Sequence, residues 1–288
     1  MAYQNISTPR IYLNIPEYLA STGTVIDPVF RTLPVNESAI TEIPDISVIT
    51  LTNPYVAILG HSATAITFTS DTLLNITDII NGTASDTLAG FSIFGVDAMP
   101  TGINFDGNAG SILLGTYFDF PTSPDLNLSI SYEYGGIKET TTKGGATLTN
   151  AFYTKPPKWT DSLGAWELGG DAKYAKSGRR VWSLSWSFLS DSSVFPDNAG
   201  LVNTTDGDTN LTLLEDDTFQ RVIHLTNGGQ IPFIFQSNNT VVSDSDSPEN
   251  NSPKPDQLAI AKFDMNSFKF DQVANSVYNV KLKIREVW

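Results

Sequence analysis

Strict alternation of apolar and polar residues over 181–188 constrains the fold more than any other feature of the sequence. Even positions carry large apolar side chains and odd positions are mostly serine: Trp182, Leu184, Trp186 and Phe188 against Val181, Ser183, Ser185 and Ser187. A period of two residues is typical of a β-strand that buries one face. The segment therefore predicts a strand with an aromatic face in a core and a hydroxyl face outside it.

Two more segments alternate with the same period. Even positions are apolar in both: Leu126, Leu128, Ile130, Tyr132 and Tyr134 in one, and Tyr278, Val280, Leu282 and Ile284 in the other. The odd positions of the second segment include Lys281, Lys283 and Arg285, so the last strand presents a basic face to solvent or to a partner. Shorter apolar runs between turn residues predict strands at Ile46–Leu51, Val56–Leu59, Ala65–Phe68, Ser111–Tyr117, Ile231–Phe235 and Leu258–Phe263.

One segment, Asp216–Thr226, shows helical spacing. Phe219, Val222 and Ile223 recur at helical intervals after a cluster of acids, and glycines follow the end. The segment Ser237–Asp256 is rich in Ser, Asn, Asp and Pro and predicts a long exposed loop.

The pattern as a whole predicts an all-β fold of the β-sandwich or jelly-roll kind, with one short helix and long loops. The glycine-rich stretch Gly135–Gly145 is interpreted as a further loop and as a break in the chain. We expect an N-terminal β domain over 1–120 and a C-terminal β-sandwich domain over 121–288.

Composition narrows the function classes. The chain has 17 Lys and Arg against 31 Asp and Glu, a net charge of −14, whereas nucleic-acid binding requires basic surfaces. No cysteine is present, so disulfides and thiolate metal sites are absent. No apolar stretch approaches the ~18 residues of a membrane-spanning helix, so we expect no membrane insertion.

Gly60–Thr64 is the strongest catalytic signal, because Ser62 follows an apolar run as the serine of a nucleophile elbow would. Thr64 stands where the elbow requires glycine, and the chain continues with another strand-like run instead of a helix. The only histidines are His61 in this turn and His224 in the predicted helix, where packing or surface roles are expected. We therefore predict no catalytic residues, no bound cofactor and no enzymatic activity.

Spacing over 206–217 partly matches a calcium-binding loop. Acidic or amide residues occupy its first three ligand positions and its twelfth: Asp206, Asp208, Asn210 and Asp217. Leu211 stands where the loop requires glycine, so we interpret the segment as a solvated loop followed by a helix start, and predict no metal site.

Two pairs of residues suggest contacts with other molecules. Trp159 and Trp166, in a stretch rich in Pro and Gly, could stack on sugar rings, fix their own loop or fill a subunit contact. Arg179 and Arg180 open the aromatic strand and could pair with carboxylates of a partner or of the same chain.

Five segments make the chain similar to virion structural proteins of marine tailed bacteriophages, with distal-tail and minor-tail proteins among them. They are Thr142–Leu148, Gly178–Pro196, Gly228–Gln236, Pro255–Asp264 and Val280–Trp288. The resemblance covers the chain from about residue 110 to its end, whereas in the first hundred residues only Thr8–Tyr12 matches.

The resemblance implies a non-enzymatic subunit of a tail or tail tip, made in the host cytoplasm and located in the virion. Such a subunit would work by self-association, with a ring as the expected homo-oligomer, and by docking to other phage tail proteins. An acidic surface of one copy would meet the basic face formed by Lys281, Lys283 and Arg285 of another. Two alternatives stay open: an adhesin that binds host glycans through Trp159, Trp166 or an aromatic groove of the N-terminal half, and a capsid decoration protein.

Overall fold

The computed structural model describes residues 7–32, 43–46, 49, 51–70, 73–80, 90–107, 109–133, 137–151, 178–196, 217–239 and 257–287. Its elements, in chain order, are β1 (Arg10–Asn14), α1 (Ile15–Ser21), a 3-10 turn (Pro28–Phe30), β2 (Pro54–Leu59), β3 (Ile66–Thr69), β4 (Ile76–Ile80), β5 (Phe91–Val96), β6 (Gly102–Phe105), β7 (Ser111–Asp119), β8 (Ser129–Glu133), β9 (Ile137–Thr141), β10 (Thr147–Ala151), β11 (Arg179–Ser190), α2 (Asp191–Val194), α3 (Phe219–Leu225), β12 (Phe233–Gln236), β13 (Leu258–Phe263), β14 (Phe270–Ala274) and β15 (Val277–Glu286).

Eleven of the strands form one large sheet, in which every strand pair is antiparallel. The strand order is β4-β5-β2-β7-β1-β12-β13-β15-β11-β8, and β14 pairs with β15 beside this path. Two short ribbons, β3-β6 and β9-β10, complete the described strands. The predicted all-β class is confirmed, whereas the jelly-roll form stays a prediction.

Strand β1 connects the two halves of the chain. It pairs with β7 on one side and with β12 on the other, so that Tyr12 lies between Tyr117 and Ile234. Whether residues 1–120 and 121–288 fold independently stays a prediction. In the structure, β1 from the first range pairs with β12 from the second, so one sheet contains strands of both ranges.

The central strands are buried on both faces. One face contributes to the larger apolar core, in which Phe120 stacks on Trp186 with ring centroids 4.2 Å apart and Phe219 of α3 packs against Phe120. The opposite face forms a second apolar cluster around Tyr12 and Tyr55. In the sequence, strands buried on both faces appear as continuous apolar runs and show no alternation of apolar and polar residues.

The alternating segments form strands, but three of their apolar side chains are exposed: Leu126, Tyr132 and Phe188. Trp182, Leu184 and Trp186 of β11 are buried as predicted, but Phe188 is 75% exposed. Leu126 is 99% exposed and lies before β8, which begins at Ser129.

The glycine-rich segment Gly135–Gly145 differs from the prediction of a loop. Most of it forms the first strand and the turn of the β9-β10 hairpin, in which Thr141 pairs with Thr147. The turn closes because the amide of Thr142 donates to the carbonyl of Ala146 at 2.8 Å.

The helix prediction is confirmed at α3, which begins after Thr218. The Thr218 hydroxyl accepts the amide of Arg221, as an N-cap does. Two further short helices, α1 and α2, occur among the described residues. Of the predicted long loop only residues 237–239 are described, and the predicted Ile46–Leu51 strand lies partly outside the described residues.

Candidate interaction surface

The outer face of β8, β11 and β15 holds most of the residues that the sequence singled out for contacts. Antiparallel register places Ser183 of β11 between Ser129 of β8 and Lys283 of β15, and places Ser185 opposite Lys281. Apart from the half-buried Ser185, these side chains are exposed, because the opposite face of the strands is in the core. The result is a sheet face of hydroxyls and cations.

Two of the three predicted cations on this face form ion pairs within the chain. The Lys283 ammonium lies 2.7 Å from a carboxylate oxygen of Asp264, and the Arg285 guanidinium pairs with Glu133. Lys281 is exposed and has no carboxylate within ion-pair distance among the described residues. Lys281 is therefore the cation of this face whose charge is least compensated locally.

Arg180 is buried, and of its two predicted roles it takes the pairing within its own chain. It is 1% exposed, and its guanidinium pairs with Glu286 at 2.8 Å and donates to the carbonyl of Leu258 at 2.6 Å. A partner cannot reach this charge. Arg179, the residue before it, is half-buried and pairs in register with Glu133.

A β-bulge next to this face turns Phe188 outwards. The pairing of β11 with β15 shifts between Trp186 and Leu189, so that Ser187 and Phe188 both lie opposite Asn279. The Phe188 amide donates to the Asn279 side chain at 3.1 Å, and its φ is 64°. A left-handed backbone is rare and strained for a residue with a bulky side chain, and bulges commonly redirect side chains in this way.

Asp125 holds the neighbouring segment against the bulge. Its carboxylate accepts the Ser187 amide at 3.2 Å and the Ser187 hydroxyl at 2.8 Å, and its own amide donates to the Ser185 carbonyl at 2.7 Å. Leu126 is the next residue in the chain and is 99% exposed. Exposed apolar side chains thus adjoin the cations of the outer face.

A second bulge lies on the other side of β15. The pairing of β14 shifts between Gln272 and Ala274, close to Tyr278, and Val273 at the shift is 46% exposed. Sequence reasoning did not identify Phe188 or Val273 as surface residues, because strict alternation assigns no bulge. The hydrogen bond from the Phe188 amide to the Asn279 side chain indicates the bulge, but the sequence reveals it only once the pairing of β11 with β15 is known.

In the segment Gly60–Thr64, which follows β2, His61 points into the fold and Ser62 points out of it. His61 is 3% exposed, its Nε2 lies 2.9 Å from the Ser92 hydroxyl, and its Nδ1 accepts the Ala63 amide. Burial lowers the pKa of His61 to about 4, so the ring is neutral at physiological pH. Ser62 is exposed, and no bond between Ser62 and His61 occurs in this turn.

His224 lies on the exposed side of α3, at the rim of a depression between α1 and α3. Its Nε2 lies 3.1 Å from the Tyr18 hydroxyl, and partial burial lowers its pKa. The contact ties two short helices together, in keeping with the expected packing or surface role.

The remaining predicted residues lie largely outside the described part of the chain. Trp159, Trp166, Asp206, Asp208 and Asn210 are among them. Asp217 is described, and its carboxylate accepts the Asn53 side-chain amide at 2.9 Å. Burial raises the pKa of Asp217, partly offset by the nearby Arg221.

The described residues contain no group of three or more His, Asp or Glu side chains placed to hold a metal ion. None of their helices has the length and apolar character needed to cross a membrane.

These features define an all-β protein whose large antiparallel sheet carries a cationic, hydroxyl-rich outer face beside exposed apolar side chains. Comparisons with protein-family models, with curated proteins and with solved structures found no match to the chain.

Proposed function

We propose that this chain is a non-enzymatic structural component of a tailed-phage virion, located in the tail or at its tip. It works by binding further copies of itself, arranged in a ring, and by docking to neighbouring tail proteins. The five sequence segments that resemble tail proteins support the virion setting.

The outer face of β8, β11 and β15 carries the proposal. It places exposed Lys281 and Lys283 beside exposed Leu126 and Phe188 on a chain of net charge −14. Opposite charges orient a partner during encounter, and burial of apolar side chains supplies affinity. An acidic surface of another copy has the complementary charge.

Immunogold electron microscopy of intact phage particles tests the location. An antibody raised against this chain is expected to place gold on the tail or its tip. Gold over the head would overturn the tail location in favour of capsid decoration. Absence of label on intact and disrupted particles would overturn the virion assignment.

A charge reversal tests the mechanism. The triple variant Lys281→Glu, Lys283→Glu, Arg285→Glu is expected to reduce oligomer size and to abolish its dependence on salt, measured by light scattering after size-exclusion chromatography. The control is Lys143→Glu, which reverses an exposed cation at the turn of the β9-β10 hairpin. Unchanged oligomers in the triple variant would contradict the proposed surface.

A further inference from the structure

The two ends of the large sheet differ in the charged side chains that they expose. Of the 17 cations only Arg10 and Arg31 lie in residues 1–120. The acids of that segment are Glu17, Asp27, Glu37, Glu42, Asp45, Asp71, Asp78, Asp86, Asp97, Asp106 and Asp119. Strands β4 and β5, at one end of the sheet, belong to this segment, whereas β15 and β11, near the other end, carry the lysines described above.

The β4 end combines acids with exposed apolar residues. Leu73 is 90% exposed and Ile76 is 44% exposed, and the carboxylates of Asp78 and Asp97 are exposed beside them. Asp97 accepts the amide and the side-chain amide of Asn75 at 3.0 and 2.6 Å, which joins it to the chain just before β4. We call Leu73, Ile76, Asp78 and Asp97 the acidic end.

The other end combines exposed apolar residues with lysines: Lys283 pairs with Asp264, whereas Lys281 has no carboxylate at ion-pair distance among the described residues. Leu126 and Phe188 are 99% and 75% exposed, and Lys281 and Lys283 lie on the adjoining outer face. We call these four residues the basic end. The chain keeps Phe188 in a strained backbone conformation that exposes its ring, although a regular strand would bury or pair it.

From this complementarity we propose that copies of the chain associate end to end, with the basic end of one copy seated on the acidic end of the next. The inference rests on the self-association proposed above and names the two surfaces that it uses. Pairing of two basic ends or of two acidic ends would bring like charges together. A contact between two different surfaces avoids this, and it closes into a ring when the rotation per copy permits.

The apolar residues decide affinity and the charges decide orientation. Leu73 and Ile76 of one copy would bury the exposed Phe188 and Leu126 of the next, which removes apolar area from water on both sides. Lys281, without a described carboxylate partner of its own, would face Asp78 or Asp97. The contact therefore weakens as salt rises.

Two variants, each with one altered end, test the inference. The basic-end variant carries Phe188→Asn and Lys281→Glu, and Asn is chosen because it tolerates a left-handed backbone. The acidic-end variant carries Leu73→Ser and Asp78→Lys. All four replaced side chains are exposed, so both variants are expected to melt near the wild-type temperature.

Sedimentation velocity at increasing protein concentration gives the readout. Wild type is expected to form oligomers, and each variant alone to associate at least about tenfold more weakly, because it loses apolar anchors and a charge. An equimolar mixture of the two variants is expected to form a one-to-one dimer and nothing larger, since each variant keeps one intact end. Only a contact between two different surfaces predicts this result.

Val25→Ser and Lys143→Glu are the matched controls, because Val25 is 97% exposed but lies at neither end of the sheet, and Lys143 lies in the hairpin turn. Both should assemble like wild type. Oligomers formed by either variant alone as readily as by wild type, two-fold dimers of one variant, or a wild type that stays monomeric would each overturn the inference. None of these outcomes bears on the location in the virion, which the immunogold experiment tests. The end-to-end contact and the virion location can therefore be refuted independently.

Discussion

Arg180 and Glu286 form a buried ion pair that joins β11 to the end of β15, 106 residues away in sequence. The guanidinium Nη2 lies 2.8 Å from one carboxylate oxygen, and the other oxygen accepts both the Arg180 Nε, at 3.1 Å, and its backbone amide, at 2.9 Å. The guanidinium also lies 5.2 Å from the Trp182 ring centroid. The pair therefore ties the last strand to the aromatic core.

Replacing Glu286 by Gln is expected to lower the free energy of unfolding by about 3 kcal/mol, because the charge of Arg180 stays buried without a counter-ion. Urea denaturation measures the change. The control is Lys269→Met, which breaks an ion pair with Asp271 whose side chains are 77% and 50% exposed. Exposed pairs contribute at most about 1 kcal/mol, so equal losses in the two variants would contradict the assigned role.

Gly115 of β7 permits the close approach of β1. A Cβ at this position would lie 2.0 Å from the Leu13 carbonyl oxygen, which is backbone of the central strand and cannot move aside. Gly115→Ala is expected to lower the free energy of unfolding by about 2–3 kcal/mol through overpacking.

Gly144→Ala is the control for that substitution, because the nearest atom is the Thr142 hydroxyl at 3.9 Å. Thermal unfolding followed by circular dichroism compares the two variants. An equal loss of thermal stability in the two variants would contradict the assigned role of Gly115 in the close approach of β1 and β7.

Alternation predicted β11 and β15 from the sequence because each strand buries one face and exposes the other. It did not predict β1, where Ile11 and Leu13 enter one apolar cluster and Tyr12 enters the other. A strand buried on both faces has no alternating pattern, so only its pairing with β7 and β12 defines it.

The candidate surface was predictable in part. Lys281 and Lys283 were identified because their spacing places them on one face of a strand. For Arg180 the sequence left open whether the carboxylate comes from a partner or from the same chain, because Glu286 lies on a distant strand and sequence periodicity carries no information about which strands pair. Phe188 was placed in the core because a bulge depends on the partner strand.

Phe188→Gly is expected to raise the free energy of unfolding by about 1 kcal/mol, because a left-handed backbone costs an L-residue about that much and the exposed ring buries little area. Ser183→Gly, in the same strand at an exposed position, is the control and is expected to lower it by about 0.5–1 kcal/mol. Urea denaturation of both variants gives the comparison. A loss in Phe188→Gly as large as in the control would mean that the bulge is not strained.

Stability is expected to fall as pH falls through the range in which His61 titrates in the unfolded chain. The ring is neutral in the fold, where burial lowers its pKa from 6.5 to about 4. Between these values the unfolded chain binds a proton that the folded protein does not, so the free energy of unfolding decreases with decreasing pH by about 3 kcal/mol in all and levels off below the pKa of the folded state. In His61→Gln this contribution is absent.

The measurement is urea denaturation of wild type and His61→Gln from about pH 7.5 to about pH 4.5, above the range in which most carboxylates protonate. The difference in free energy of unfolding between the two proteins is expected to shrink as pH falls, since only wild type has His61 to protonate on unfolding. His224→Gln is the control: its pKa is lowered in the same direction, but His224 is exposed on α3, so its effect is expected to be smaller. If wild type and His61→Gln lose stability in parallel over the whole range, the neutral state of His61 does not contribute to the fold.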